Sequence, residues 1–154
     1  MNWIPLLSTA FGAVIGVAAT LLADRMRARS NRQEEDQALR RQLYGDYLAA
    51  LSLTRHNLRT SSRSSSASPE ERARMALDSF KEGGVYQARY QVSLVAHERV
   101  VEASTSAFNA LRSLRDLVEA GGGSHGDPRY RAAQDEWAAC FTTLRQSMRR
   151  DLGN

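Results

Sequence analysis

The clearest helical pattern in the chain runs from Asp127 to Arg150, DPRYRAAQDEWAACFTTLRQSMRR. Asp127 and Pro128 are typical of a helix start, and Arg149 and Arg150 lie where cations favour the negative end of the helix dipole. Apolar residues recur between them at three- and four-residue steps: Tyr130, Ala133, Trp137, Cys140, Phe141, Leu144 and Met148. This pattern predicts an amphipathic helix over about residues 128–152, whose apolar face needs neighbouring helices to cover it.

Two further helices are predicted before this one. Ser68, Pro69 and the acids after them are a strong helix start, and the periodicity continues to about Val95, with Gly83 and Gly84 threatening a kink. We expect this second helix to bury Ala73, Leu77, Phe80, Ala88, Val92 and Val95. A third helix is predicted over about 98–120, and it ends at the glycines 121–123. We expect a break near His97 before it, although periodicity alone also allows one long helix through this junction.

The stretch before these helices is also helical in pattern. Apolar residues continue at helical spacing to Leu58, so a stalk helix is predicted over residues 24–59, with Gly45 as a tolerated weak point. Residues 60–68, TSSRSSSAS, are predicted to form a loop, because short polar side chains compete with helical hydrogen bonds. Since no alternating strand pattern occurs, the body over residues 69–154 is predicted to be an antiparallel helical bundle.

The first 23 residues differ from everything that follows. The chain has 154 residues, with 21 basic and 17 acidic side chains, and none of them precedes Asp24. Residues 3–23, WIPLLSTAFGAVIGVAATLLA, would form a helix of roughly 31 Å, enough for a hydrocarbon core of ~30 Å. A buried core helix and a cleaved secretion signal are the alternatives, but a secretion signal normally begins with positive side chains. We therefore predict a transmembrane anchor over residues 1–23, which makes the fold class an all-α protein with a membrane span.

Basic residues after the predicted span set its orientation. Arg25, Arg27, Arg29 and Arg32 follow within about ten residues, and Asp24 is the acid among them. The positive-inside rule then predicts a single-pass protein of the cell membrane, with the N-terminus outside and the body cytoplasmic. The same four arginines could also contact anionic lipid head groups.

A stripe of small residues lies within the predicted span. Ser8, Gly12, Gly16 and Thr20 recur at every fourth position and include a G-x-x-x-G. Such a ridge allows two membrane helices to approach closely, which predicts self-association. The alternative is that these residues only reduce the bulk of the helix.

Candidate catalytic and metal-binding residues are few. His97 and Glu98 begin H-E-R-V-V, but Val101 stands where a zinc-protease helix needs its second histidine. Cys140 lies on an apolar face, which is typical of a buried, reduced thiol. Because it is the single cysteine, a disulfide scaffold is excluded. His56 and His125 are interpreted as solvated or structurally bonded. We therefore predict no enzyme, no metal site and no cofactor.

Arginine supplies nearly all of the positive charge, with Lys81 the single lysine. Several arginines have an acidic partner one turn away, as Arg115 has Glu119, and no basic stripe alternates with aromatic residues. Direct nucleic-acid binding is therefore not favoured. It remains, with binding to anionic lipid, the alternative function for the arginine-rich flank.

The order of these features resembles a group of small actinobacterial membrane proteins, some of which are called KilB-like. The resemblance covers most of the chain and rests on helical patterning and three phrases: RRQLYGDYLAAL (Arg40–Leu51), QARYQVSLVAHERVVEA (Gln87–Ala103) and RRDLG (Arg149–Gly153). Relatives often have a proline after the LVA phrase, where this chain has His97. KilB-like proteins help conjugative plasmids spread through mycelium, so the resemblance implies a role in plasmid transfer beside a DNA-translocating membrane ATPase. The sequence thus predicts a non-enzymatic, membrane-anchored helical assembly protein, whose partners are membrane lipid and either other copies or other membrane proteins.

Overall fold

The structure, a computed structural model, describes residues 4–64, 66–121 and 127–153, with side chains described at Thr20 and from Leu22 onward. In these ranges the chain forms α1 (Ile4–Arg63), α2 (Pro69–Glu82), α3 (Val85–Val95), α4 (Glu98–Glu119) and α5 (Pro128–Asp151). No strand occurs in the described ranges, which confirms the all-α class. Contacts between residues divide the chain into two compact units, 1–39 and 40–154.

The first unit contains the predicted membrane span. Its described backbone, from Ile4 onward, is helical, and every described side chain from Leu22 to Leu39 is exposed. Among the described residues, no helix is long and apolar enough to cross a membrane. Most of the predicted span has its side chains outside the described residues, at positions 3–19 and 21. The transmembrane anchor therefore stays a prediction.

The second unit has a core to which α1 to α5 all contribute. The side chains that are fully buried, at 2% exposure or less, include Tyr47 and Leu51 of α1, Phe80 of α2, Val85 and Val92 of α3, Leu111 and Leu114 of α4, and Tyr130 and Leu144 of α5. Helix α4 packs against α5, α2 and α3. The Tyr47 hydroxyl donates to the Ser104 carbonyl at 3.3 Å and accepts from the Ser104 hydroxyl at 3.0 Å, which joins α1 to α4 inside this core.

The contacts at the two ends of α5 define the direction of packing. Asp151, at its C-terminal end, lies 3.8 Å from His97 at the start of α4 and 2.6 Å from the Tyr44 hydroxyl of α1. Trp137, nearer its N-terminal end, lies under the guanidinium of Arg55, further along α1, at 4.7 Å from the ring centre. Helix α5 therefore runs antiparallel to both α1 and α4, as the bundle prediction requires.

The predicted loop over residues 60–68 is partly wrong, because α1 continues to Arg63 instead of ending near residue 59. The Thr60 and Ser61 hydroxyls donate to the carbonyls of His56 and Asn57, one turn earlier, at 3.1 and 2.9 Å. These bonds satisfy the hydroxyl groups within the helix, so they do not compete with it. Ser61 is moreover buried, at 1% exposure.

The predicted second helix, over 69–95, is two helices. Gly84 has a φ of +62°, the left-handed region that glycine adopts without strain, and it separates α2 from α3. A side chain on Gly83 would collide with that of Thr54 on α1 and lie 2.9 Å from the Ser79 carbonyl oxygen. The two glycines therefore end the helix and permit its close approach to α1, a larger effect than the kink we predicted.

This division changes which residues of α2 are buried. Ala76, Ser79 and Phe80 face the core, whereas Leu77, predicted to be buried, is 45% exposed, and Ala73 is half-buried. In α3 the prediction is correct for Ala88 and Val92, and Val95 is half-buried. The error in α2 follows from fitting one continuous apolar face across a helix break.

The other helix limits agree closely with the sequence. The break near His97 is confirmed, since the backbone is extended at Ala96 and His97 and α4 begins at Glu98. Helix α4 ends at Glu119, just before the predicted glycine stop, and residues 122–126, with His125, lie outside the described residues. Helix α5 ends one residue before its predicted limit.

Candidate interaction surfaces

The side chains considered as candidates for catalysis or metal binding are placed as follows. No group of three or more His, Cys, Asp or Glu side chains that could hold a metal ion occurs among the described residues. Cys140 is half-buried, and burial, followed by the nearby charge of Glu136, raises the pKa of its thiol. The thiol is therefore held in its protonated, less nucleophilic form. His56 is exposed, as expected for a solvated residue.

Helix α3 is apolar on two opposite faces. Its inward face places Val85, Ala88 and Val92 in the core. Its outward face carries Tyr86, Tyr90 and Leu94, which are 43%, 71% and 84% exposed. These three residues, here called the outward stripe, follow one another at four-residue steps. At about 100° per residue their centre lies directly opposite the centre of the buried set.

The outward face of α3 is also uncharged. Arg89 is the one charged residue in the helix, VYQARYQVSLV, and its guanidinium donates to the Thr105 hydroxyl of α4 at 3.1 Å. The same guanidinium lies 4.6 Å from the centre of the Phe108 ring, so it is turned toward α4. Gln91 and Ser93, exposed beside the stripe, carry no charge. In a chain with 25% charged residues, such a face is unusual.

One end of the outward stripe is held in place by the core. The Tyr86 ring lies 5.3 Å from that of Phe108 and 6.0 Å from that of Phe80, in tilted and edge-on arrangements that aromatic pairs favour. The stripe is thus a prepared surface, and a partner would lose little side-chain freedom at Tyr86 on binding it. Contiguous exposed apolar patches of this kind mark sites of protein or membrane interaction.

A second notable group surrounds the carboxylate of Asp151, whose side chain is only 4% exposed. The Tyr44 hydroxyl donates to one carboxylate oxygen at 2.6 Å, and Arg40 lies 3.6 Å from the same oxygen. His97 Nε2 lies 3.8 Å from the other oxygen. Burial raises the pKa of the Tyr44 phenol, and its hydrogen bond to Asp151 raises it further. This Asp151 cluster connects α1, α5 and the start of α4.

An open cavity of about 420 Å³ lies beside the Asp151 cluster. Its lining residues are His97, Glu98, Arg99, Ser147, Arg150 and Asp151. The buried carboxylate of Asp151 already accepts from Tyr44 and lies near Arg40, so its role here is to hold helices together.

The residues predicted for membrane self-association are mostly beyond what the structure describes. Ser8, Gly12 and Gly16 lie outside the residues with described side chains, and Thr20 is exposed on α1. Their role stays a prediction.

The four arginines of the flank are all exposed on α1. At about 100° per residue, Arg25, Arg29 and Arg32 fall within one sector of roughly 60°, and Arg27 lies on the other side of the helix. The helix thus brings three of the four predicted head-group ligands together.

The predicted ion pair between Arg115 and Glu119 is confirmed, at 3.3 Å.

Neither the outward stripe nor the Asp151 cluster was predicted from the sequence. The sequence does contain a signal for the stripe, because α3 has two sets of apolar residues at helical spacing and only one of them can face the core. The cluster has no local signal, since Tyr44 and Asp151 are 107 positions apart.

No family model, curated protein or solved structure matches this chain. The KilB-like resemblance therefore stays a prediction.

Proposed function

We propose that this chain is a non-enzymatic, single-pass membrane protein whose cytoplasmic helical body assembles with other proteins. The membrane anchor is supported by the uncharged residues 3–23, and the orientation by the arginines that follow. The KilB-like resemblance gives the proposal its most specific form, a part in conjugative plasmid transfer or in the spread of plasmids through mycelium.

The outward stripe of α3 is the observation that carries the assembly function. Tyr90 and Leu94 are more than two thirds exposed, while the core beneath them is filled by Val85, Ala88 and Val92. The bundle therefore gains little packing from Tyr90 and Leu94, and water is in contact with apolar surface that a partner would cover favourably.

Photocrosslinking in the native membrane tests this function. A photoreactive amino acid at Tyr90 of the full chain should give adducts of discrete mass with protein, because the side chain lies at the centre of the stripe. The same group at Gln91, about 100° around α3, is the matched control and should give far fewer. Equal yields at the two positions would contradict assembly through α3.

The membrane anchor has a test of its own. The full chain should remain with the membranes after extraction at alkaline pH. Asn2→Cys, in a Cys140→Ala background, should react with a membrane-impermeant thiol reagent added outside intact cells. Release into the supernatant would contradict the anchor, and labelling only after lysis would contradict the orientation.

A second candidate function is binding to phosphate groups of anionic lipid or nucleic acid by the arginine-rich flank. It is favoured by the common sector of Arg25, Arg29 and Arg32, each worth ~1 kcal/mol near an anionic surface. Replacing these three by Gln should lower the amount of anionic lipid that co-purifies with the full chain, and Arg27→Gln should lower it less. A steep fall of duplex DNA binding with added salt would favour nucleic acid instead.

A further inference from the structure

We infer that the partner covering the outward stripe is a second copy of this chain, packed with α3 antiparallel to α3 about a two-fold axis at Tyr90. This inference rests on the proposed assembly function and names its partner.

The spacing of the stripe makes it complementary to itself. Tyr86 and Leu94 lie four residues before and after Tyr90, each about 6 Å along the helix axis. A two-fold axis through Tyr90 therefore places Tyr90 against Tyr90, and Tyr86 against Leu94, in both halves of the contact. Such an isologous arrangement, in which each patch meets its own copy, is the commonest form of protein dimer.

Charge favours the same occupant. The chain carries a formal net charge of +4, so two copies repel one another over much of their surface. The outward face of α3 avoids this repulsion, because its single charged residue, Arg89, is turned toward Thr105 and Phe108 of α4. The tyrosine hydroxyls then supply polar groups at the edge of the contact, as interfaces require.

The exposed area of the outward stripe determines how tightly two copies are expected to bind each other. Two tyrosines and a leucine at these exposures present on the order of 300–450 Å² per copy, using ~150–250 Å² for a full aromatic side chain. A standard interface buries about 800 Å² per partner, so the isolated contact should be weak. Confinement of two copies to one membrane would raise their effective concentration and so the fraction paired.

Disulfide formation tests the two-fold axis. In a Cys140→Ala background, the full chain carrying Tyr90→Cys should give a covalent dimer in mild detergent under mild oxidation, because the two sulfurs meet at the axis. Gln91→Cys is the matched control on the side of the helix, and its dimer should form at least tenfold more slowly. Equal rates for the two variants would overturn the proposal.

Sedimentation equilibrium of the full chain tests the contact without a cross-link. Leu94→Glu places two charges into the apolar contact and should raise the dimer dissociation constant at least tenfold, whereas Gln91→Glu should change it less than twofold. Leu94 is 84% exposed, so the variant should keep the circular dichroism and melting temperature of the parent chain. A dissociation constant unchanged by Leu94→Glu would overturn the proposal.

Crosslinking at Tyr90 separates this inference from the function on which it rests. Adducts of twice the chain mass support the second copy. Adducts with a different protein, together with a monomeric purified chain, overturn the second copy and leave the assembly function standing. Adducts with lipid alone overturn both, because the stripe would then lie against the membrane surface.

Discussion

Helices α3 and α5 both pack into the same core, but their outward faces differ in chemistry: that of α5 is charged and that of α3 is apolar. Val92 of α3 and Leu144 of α5 are equally buried, at 0% exposure. Outward from α5 stand charged residues such as Asp135 and Arg145, whereas outward from α3 stand Tyr90 and Leu94. Folding of the bundle requires only the inward faces. The apolar side chains of the other α3 face are therefore available for binding.

The length of the two helices sharpens this contrast. Helix α5 has 24 residues and α3 has 11, and a helix as short as α3 is marginal in water without tertiary contacts. Its inward residues hold it in place. The outward stripe then depends on the bundle for its position, and of its three residues it is Tyr86 that packs against the core.

The largest expected effect comes from placing a charge on each face of α3. Val92→Asp buries a carboxylate without a partner and should lower the free energy of unfolding by several kcal/mol. Leu94→Asp, on the exposed face, should change it by less than about 0.5 kcal/mol. Urea denaturation of the full chain in mild detergent measures both. Similar losses for the two variants would mean that the stripe belongs to the core.

The buried carboxylate of Asp151 on α5 accepts a hydrogen bond from Tyr44, and Tyr44→Phe removes the donor of this bond. Bonds to charged groups contribute about 1.5–3 kcal/mol, so the free energy of unfolding should fall by that amount at neutral pH. Tyr90→Phe is the control on α3 and should change it by less than about 0.5 kcal/mol, because that residue is 71% exposed. A Tyr44→Phe variant as stable as the parent would contradict a stabilising role for the Asp151 cluster.

The pH dependence of stability should also report on Tyr44. Its pKa is raised in the folded chain, chiefly by burial, so the neutral phenol is the form that the fold favours. The resulting stability is fully present below the tyrosine pKa of the unfolded chain, about 10, and is lost as the pH rises above it. Tyr44→Phe should flatten this loss between about pH 9 and 11. Part of it should remain, because burial raises the pKa of Tyr47 as well.

A side chain at Gly83, in the corner between α2 and α3, should lower the free energy of unfolding. Gly83→Ala places a methyl group against the side chain of Thr54, and overpacking of this kind costs about 1–3 kcal/mol. Gly45→Ala, in the middle of α1 with nothing within 4 Å, should instead stabilise by up to about 1 kcal/mol. Equal effects of the two substitutions on the urea midpoint would show that α2 does not approach α1 as closely as described.

Helix α5 could be predicted from the sequence because its start, its end and its apolar period all agree. Helix α2 could not, because the same period was continued through Gly83 and Gly84 and so buried Leu77. The true inward face includes Ser79, whose hydroxyl donates to the Ala76 carbonyl at 2.6 Å. A prediction based on apolar residues alone places such a serine on the outward face. The hydrogen bond within the helix nevertheless lowers the free-energy cost of burying its hydroxyl.

Buried hydroxyl groups also explain the late end of α1. Thr54 and Ser61 are 0% and 1% exposed, and each donates to the carbonyl four residues earlier. The serine-rich composition predicted a loop at Ser61, because the sequence does not show which hydroxyl side chains face a neighbouring helix. The Asp151 cluster was beyond prediction for a related reason, since its members meet only after α1, α4 and α5 have packed.

The smallest expected effect lies at the start of α2. Ser68 accepts from the Glu71 amide at 3.2 Å, and the Glu71 carboxylate accepts from the Ser68 amide at 2.8 Å, so Ser68→Ala should cost about 1 kcal/mol. Ser66→Ala, exposed in the same connection, should have no measurable effect. Phe80 of α2 packs edge-on against Phe108 of α4 at 6.0 Å, and α4 packs on α5, so the loss should reach Trp137. If, in a Trp3→Phe background, Ser68→Ala speeds amide exchange in α2 and α3 without lowering the midpoint reported by Trp137 fluorescence, then α2 and α3 open independently of α5.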